Sequence, residues 1–550
     1  MRLSSKTEPR QRTAMDRPVS FISRRQLLRR SSLAAGWATF APVNAPFAAE
    51  STRGPGTVDV KALGARGDGV TLDIRALQRA IDACAHNGGG TVHFPPGRYL
   101  SGTLFLQSRV TLALQAGATL LGSPRLKDYP PTIPSIRSYT DNYTERSLIY
   151  GENLEQIALE GRGVINGQGA AFKGAYKLRP YLLRLIGCRH VAVRDLTLKD
   201  SPMWVQHFRA CDGLCLDGLT VLSKCNHNND GLDIDGCQRV RVANCDINSG
   251  DDAIVLKSTL ARPCKQVVIT NCILRSECNA FKLGTESNGG FEDVLLSNCA
   301  LYDTGAAGIA LEVVDGGTLN RVTISNVTMH NVRSPIFIRL GDRARPFVQG
   351  MDRPGIDALR NVSLSNIQAT GADRTGCIIA GLPPQPVQNV SLSNIRLDFA
   401  GGGTDEEARR PVAENPEAYP EYGMFGILPA YGFCCRHVQD LRLQDLEVTV
   451  AAPDGRPSLF CEDVDWLQLR GWSAHPLPAN VPAVHLRSVR DALIQNCAAR
   501  RAPGLWLRVG GKNSARIHVM TSELSAAAGS TELDSDVPAG TVIQGGPNKP

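Results

Sequence analysis

Aromatic residues are scarce in this 550-residue chain, at 6% of positions, while glycine occurs 53 times. With charge that stays moderate, this composition fits a folded protein rich in turns and excludes a highly charged disordered chain. No pair of cysteines has CxxC spacing with histidines to match, so a structural zinc site is not expected. The apolar stretch from Leu33 to Ala41 is too short to cross a bilayer as a stable anchor, and no membrane anchor is expected. Net positive charge is missing from most of the chain. Residues 1–49 carry nine Lys or Arg against Glu8 and Asp16, which accounts for the whole formal charge of +7. A broadly basic surface is thereby excluded, and a nucleic-acid partner with it.

Those first 49 residues read as an address. Ser23, Arg24, Arg25, Gln26, Leu27 and Leu28 resemble the twin-arginine export signal, and the small residues from Val43 to Ala49 offer peptidase sites. Met15 is an alternative start that gives a leader of more usual length. The expectation is a bacterial protein exported already folded, to the periplasm or the medium. Sixteen cysteines in an exported chain suggest disulfides, but Cys245, Cys272 and Cys299 recur every 27 residues. That spacing describes small apolar thiols stacked in a core at least as well as bridges. Bridges from Cys211 to Cys215, or from Cys434 or Cys435 to another partner, remain open.

The same period governs the architecture. RVANCDI at 241, QVVITNCIL at 266, DVLLSNCAL at 293, RVTISNVTM at 321, NVSLSNIQA at 361 and NVSLSNIRL at 389 each read as strand, Asn turn, strand. Asn244, Asn271, Asn298 and Asn326 are 27, 27 and 28 residues apart, the mark of a solenoid. With β-branched residues beside each turn and no helical periodicity between them, the fold class is all-β, a parallel β-helix over residues 50–523. The asparagines are expected to form an internal ladder that serves backbone groups. An amphipathic helix, capped by Asp73, presenting Leu77, Ala80, Ile81 and Cys84 on one face and ended by Asn87-Gly88, is expected to plug the N-terminal end. Residues 524–550 read as a loosely ordered tail. Residues 398–433 interrupt the repeat with an insertion whose second half concentrates Tyr419, Tyr422, Phe425, Tyr431 and Phe433. Such rings suit sugar binding over a groove or packing onto the coil about equally well.

Chemistry is concentrated between Asn226 and Lys257, in NHNNDGLDIDGCQRVRVANCDINSGDDAIVLK. Asp230 precedes the pair Asp251 and Asp252 by about one coil. Breaking a glycosidic bond needs a proton for the leaving oxygen and a carboxylate to activate water, and close carboxylates can divide those tasks because repulsion raises the proton affinity of at least one. Turn capping by Asp-Gly and Gly-Asp is the alternative for each acid alone.

Residues 57 to about 520 resemble glycoside hydrolase family 28, the polygalacturonase-like pectin hydrolases. The resemblance runs in order through VDVKALGARGDGVTLDIRALQRAIDAC, GGGTVHFPPGRYLSG and SPMWVQHF to Asn228-Asn229-Asp230 and Asp251-Asp252. It implies a single-stranded right-handed, pectin-lyase-like solenoid and inverting hydrolysis with no metal and no organic cofactor. Asp251 would be the general acid, and Asp230 and Asp252 would position and deprotonate water. Two motifs depart. Cys278-Asn279-Ala280 stands where the family has Gly-His-Gly, and Ala310-Leu311-Glu312 where it has Arg-Ile-Lys, so a basic pair for a galacturonate carboxylate is missing and Glu312 would repel one. Substrate-binding candidates are Asn228, Lys257, Asn279, Lys282, Glu286, Arg339, Tyr431, Arg436 and His437, with His207 a further histidine of interest. The expected substrate is a galacturonate-containing polysaccharide, a branched pectin such as rhamnogalacturonan, acted on by a monomer. A polysaccharide lyase and a non-catalytic carbohydrate-binding β-helix are the competing readings.

Overall fold

The computed structural model describes residues 56–545 apart from 349, 476–480, 498–504, 521 and 523–528. The leader read in residues 1–49 lies outside the described residues. The chain winds into a right-handed parallel β-helix. Among the described residues every ladder pairing is parallel, and core positions stack coil on coil, as in Val240↔Val267, Val267↔Val294, Val294↔Val322 and Val322↔Val362. Alternation explains why. In the strand Cys264–Thr270, Val267 and Ile269 are buried and Val268 is exposed. The inward aliphatic of one coil therefore lands on that of the next, each contributing roughly 1.5–3 kcal/mol by leaving water. No helix among the described residues is long and apolar enough to cross a membrane.

The asparagines form a ladder, but not inside the coil. Asn244, Asn271, Asn298 and Asn326 sit exposed at one corner with φ of 57°, 56°, 55° and 56°. This left-handed backbone is one that Asn tolerates better than most residues. Their amides serve one another, not the backbone: Asn326 donates to Asn298 at 2.9 Å, Asn366 to Asn326 at 3.0 Å and Asn394 to Asn366 at 2.7 Å. An aliphatic interior would have offered these groups no partners. Cys245, Cys272 and Cys299 are buried in the core, each thiol donating to the carbonyl two residues earlier. All sixteen cysteines are free, so neither bridge left open by the sequence is formed.

The helix Ile74–His86 buries Ala76, Leu77, Ala80, Ile81 and Cys84 at the N-terminal end of the coil. Asp73 stands at its start, yet its carboxylate accepts from the backbone N–H groups of Arg66 (2.8 Å) and Gly67 (2.9 Å) instead of capping the helix. At the other end the stack continues past residue 523. Gly529–Leu533 pairs with Leu505–Gly510, and Val542–Gly545 with Ala515–Met520, so the segment expected to be a loose tail contributes two strands. The unpaired edge of the preceding coil offers a ready template for them. The strands Val387–Gly401 and Phe433–Ala452 are neighbours, and residues 402–432 leave the coil between them. This insertion starts with a short helix, Asp405–Arg409, closed by a capping box of Thr404 and Glu407. It then packs Phe425, Leu428 and Ala430 against Phe337, Ile378 and Phe460 on the outer face of the sheet.

Asn326→Ala is expected to lower stability by about 1–2 kcal/mol, combining left-handed strain with lost amide bonds. Asn326→Gly should cost less, because glycine adopts this backbone freely. Urea unfolding of both variants checks it. An equal loss in the two would show that the amide ladder, not the backbone conformation, selects asparagine.

Candidate active site

The parallel strands Leu232–Asp235, Ile254–Ser258 and Phe281–Ser287 and the end of Phe291–Val313 carry the acidic motifs at their N-terminal ends. Alternation turns Ile234, Leu256, Leu283 and Leu311 into the core, which sends Asp233, Lys257, Lys282 and Glu312 to the opposite face. The corners before these strands stack as well: Gly231 N–H donates to the Asp252 carbonyl (2.9 Å), Ala253 N–H to that of Asn279 (2.9 Å) and Ala280 N–H to that of Ala307 (3.1 Å). Asp230, Asp252 and Asn279 thus belong to consecutive coils. Glycine is required at 231, where a Cβ would lie 2.6 Å from the Ala253 carbonyl oxygen.

Two buried lysines hold the acids together. Lys257 Nζ lies 3.7 Å from Asp230, 3.5 Å from Asp233 and 3.4 Å from Glu286, above the Trp204 ring at 4.7 Å. Lys282 Nζ lies 3.4 Å from Asp252, 3.7 Å from Glu312 and 3.3 Å from Glu421. Asn279 donates to Asp252 Oδ1 from both its amide (2.8 Å) and its backbone N–H (3.2 Å). Asn228 takes a bond from Arg179 (3.1 Å) and donates to Asp251 (3.4 Å), while Asn229 pins the loop to the carbonyls of Ser201 and Met203.

These surroundings push the carboxyls apart. Burial favours the protonated form of Asp252, but Lys282, Lys257 and the two bonds from Asn279 outweigh it and hold this group below the usual range. Burial and the charge of Asp252 raise Asp251. Burial and the neighbouring acids Asp233 and Asp251 hold Asp230 well above the usual range. Burial does the same to Asp233, helped by Asp252 and Asp251 against the pull of Lys257. Asp233 is fully buried, and neither of its oxygens has a hydrogen-bond donor among the described residues; the Lys257 ammonium at 3.5 Å is the charge beside it. Burial and the repulsion between neighbouring acids favour a proton on at least one of Asp230 and Asp233. Glu312 is fully buried against Lys282, and burial holds it well above the usual range.

Of the residues singled out from the sequence, the structure brings Asn228, Asp230, Asp251, Asp252, Lys257, Asn279, Lys282 and Glu286 together. It takes four others elsewhere. Arg339 is buried, donating to the carbonyls of Gly381 (3.1 Å) and Glu414 (2.6 Å) with its guanidinium over Phe425. Arg436 binds Glu462 (2.7 Å) and Glu414 (2.6 Å), and His437 lies between Asp463 (2.8 Å) and Glu414 (3.1 Å). Tyr431 is fully buried. Arg339, Arg436 and His437 fasten the insertion to the coil, and Tyr431 lies in the core, so groove membership is corrected for all four. His207 is also internal, 3.5 Å from Asp235, and burial lowers it to about 4, which keeps it neutral.

Sequence reasoning missed Asp233, Trp204, Glu421, Arg343 and Arg345. Asp233 was findable, three residues after Asp230 in DGLDID. Arg343 bonds Asp315 and Thr285, and Arg345 bonds Glu286 (2.9 Å) and the Tyr139 hydroxyl (2.8 Å). They follow Arg339 closely, but nothing in the sequence showed that the chain bends back toward Glu286. For a metal, Asp251, Asp252 and Cys278 could each offer one atom within 4.8 Å. However, Asp252 already serves Lys282 and Asn279, and burial keeps the Cys278 thiol protonated, so the donor set suits a cation poorly.

A family model described as glycosyl hydrolases family 28 matches residues 90–413, more than half of the chain. A probable polygalacturonase of Vitis vinifera is 34% identical over 210 residues, covering 36% of this chain and 43% of that protein. A polygalacturonase of Persea americana is 27% identical over 380 residues, covering 66% and 78%. An exo-poly-alpha-D-galacturonosidase of Dickeya chrysanthemi is 27% identical over 257 residues, and the chain spans only 42% of its length. Among solved structures, the family 28 exopolygalacturonase of Yersinia enterocolitica has a TM-score of 0.56 at 21% identity, covering 80% of this chain and 78% of that one, which shows a shared fold.

The raised carboxyls of Asp230 and Asp233 have a measurable consequence. A carboxyl raised by folding binds its proton more tightly in the native than in the unfolded state, so its contribution to stability falls as pH rises from about 4, the unfolded value. Asp233→Asn removes the second acid and offers Asp230 an amide donor. Melting temperatures measured from pH 4 to 8 should show the variant gaining on the wild type as pH rises. A constant offset would mean that folding does not raise the Asp233 carboxyl.

Proposed function

Given that the chain belongs to glycosyl hydrolases family 28, we propose that it hydrolyses glycosidic bonds in galacturonate-containing polysaccharide, a branched pectin such as rhamnogalacturonan, with inversion at the anomeric carbon. The observation that carries this reading is the divergence of the adjacent acids: Asp252 is held as a carboxylate while Asp251 is raised toward its protonated form. A protonated acid for the leaving oxygen and an ionised carboxylate for the water are what this reaction requires. Asp251 gives its proton to the leaving oxygen as the carbon–oxygen bond breaks. Water forms the new bond from the other face and passes a proton to Asp252, and solvent restores both groups. Asp230, on the preceding coil, positions the water.

The insertion lying over the sheet favours attack at chain ends, and relatives named as exo-acting enzymes support that mode. The leader supports export through the twin-arginine route to the periplasm or beyond, and the reading needs no second subunit, metal or cofactor.

Purified protein incubated with a panel of pectic fractions tests the activity. Asp251→Asn should lower kcat by about 10²–10⁴-fold, and proton NMR of the first product should show the inverted anomer. An unsaturated product absorbing in the ultraviolet and dependent on calcium would make the protein a lyase. Binding without turnover across the panel would leave it a carbohydrate-binding scaffold.

A further inference from the structure

The cation nearest to the ionised Asp252 has no charge to spare. Lys282 is buried, and three carboxyl groups surround its ammonium: Asp252 at 3.4 Å, Glu312 at 3.7 Å and Glu421 at 3.3 Å. Lys257 is likewise shared by Asp230, Asp233 and Glu286. Arg343 is spent on Asp315, and Arg345 on Glu286 and Asp315. Glu421 differs from the other acids around the lysines. It comes from the insertion and reaches Lys282 across 139 residues of sequence. Its side chain keeps 31% exposure, whereas those of Asp252 and Glu312 have 5% or less. Its Oε1 also faces the Cys278 thiol at 3.9 Å, beside the acid pair, and the exposed Tyr419 ring covers Lys282 at 5.7 Å.

A uronic acid bound with its scissile bond at Asp251 and Asp252 would have to place its carboxylate near Lys282, which is where Glu421 already stands. Two carboxylates there would repel each other in a poorly solvated site, and the neighbouring Asp252 would add to the repulsion. A neutral sugar meets no such penalty, and its hydroxyls can donate to Glu421. We propose that Glu421 is a specificity-determining residue that occupies the carboxylate position on Lys282, so that the sugar whose bond is broken is a neutral hexose or deoxyhexose, with galacturonate placed farther along the chain.

The proposal rests on the hydrolase reading but is tested apart from it. Two rhamnogalacturonan oligosaccharides, one ending in rhamnose and one in galacturonate, are compared with wild type, Glu421→Gln and Glu421→Ala. The wild type should prefer the rhamnose-ended chain, and both variants should raise the galacturonate-to-rhamnose ratio of kcat/KM at least tenfold. Calorimetric titration of the same proteins with the galacturonate-ended chain should show at least tenfold tighter binding in the variants, a readout that does not require turnover. Wild-type affinity for that chain matching the variants', or an unmoved ratio, would overturn the role of Glu421. Tighter binding in the variants with no hydrolysis by any of the three proteins would retain it and refute the hydrolase reading.

Discussion

The backbone hydrogen bonds between parallel strands set each residue over its counterpart one coil earlier, and the site depends on that register. Chemical groups placed at one position of the period are brought within about 5 Å of each other without any tertiary folding beyond winding. For aliphatic residues this is favourable at every step, as the column Val240, Val267, Val294 and Val322 shows. For carboxylates it is costly, because acids from successive coils are forced together out of water. Lys257 and Lys282, themselves on successive strands, are the counterweight.

That arrangement is better suited to function than to stability. A buried ion cluster recovers in Coulomb attraction little more than it loses in hydration, and hydrophobic residues of equal volume often hold a fold as well. What the cluster does provide is a set of carboxyls in different protonation states a few ångströms apart. Asp252 has both a lysine and an asparagine amide, whereas Asp233 has only Lys257 and a neighbouring acid. Asn279 is consistent with this, since its neutral donor pair on Asp252 favours the ionised form without adding a second titrating group.

The coil and the acids were legible in the sequence for one shared reason: contacts between adjacent coils occur at the sequence spacing of the repeat. Asn279 and Lys282 lie 27 residues or so beyond Asp252 and Val255, and the period alone places them beside the acid pair. The same logic misplaced Arg339, Arg436 and His437. Their coil and face were compatible with the groove, but Glu414 and the carbonyls of the insertion cover them, and no periodicity says where a 31-residue excursion folds back. Glu421 on Lys282 was invisible for that reason. The asparagine ladder was read correctly as a stack and wrongly as interior, because spacing gives the partner of a residue and not the sign of its φ. The strands after residue 528 were hidden by polar, Gly- and Pro-containing sequence that pairs through its backbone.

The sixteen unpaired thiols bear on the protein's life history. All but Cys215, Cys225 and Cys278 are buried, held by packing and by carbonyl acceptors with no covalent closure. Burial keeps most of these sulfurs protonated and out of reach, so the wound chain is inert toward oxidants that would cross-link its unwound form at many positions. The rate at which thiol reagents consume the core cysteines is therefore a direct clock for how often the coil opens.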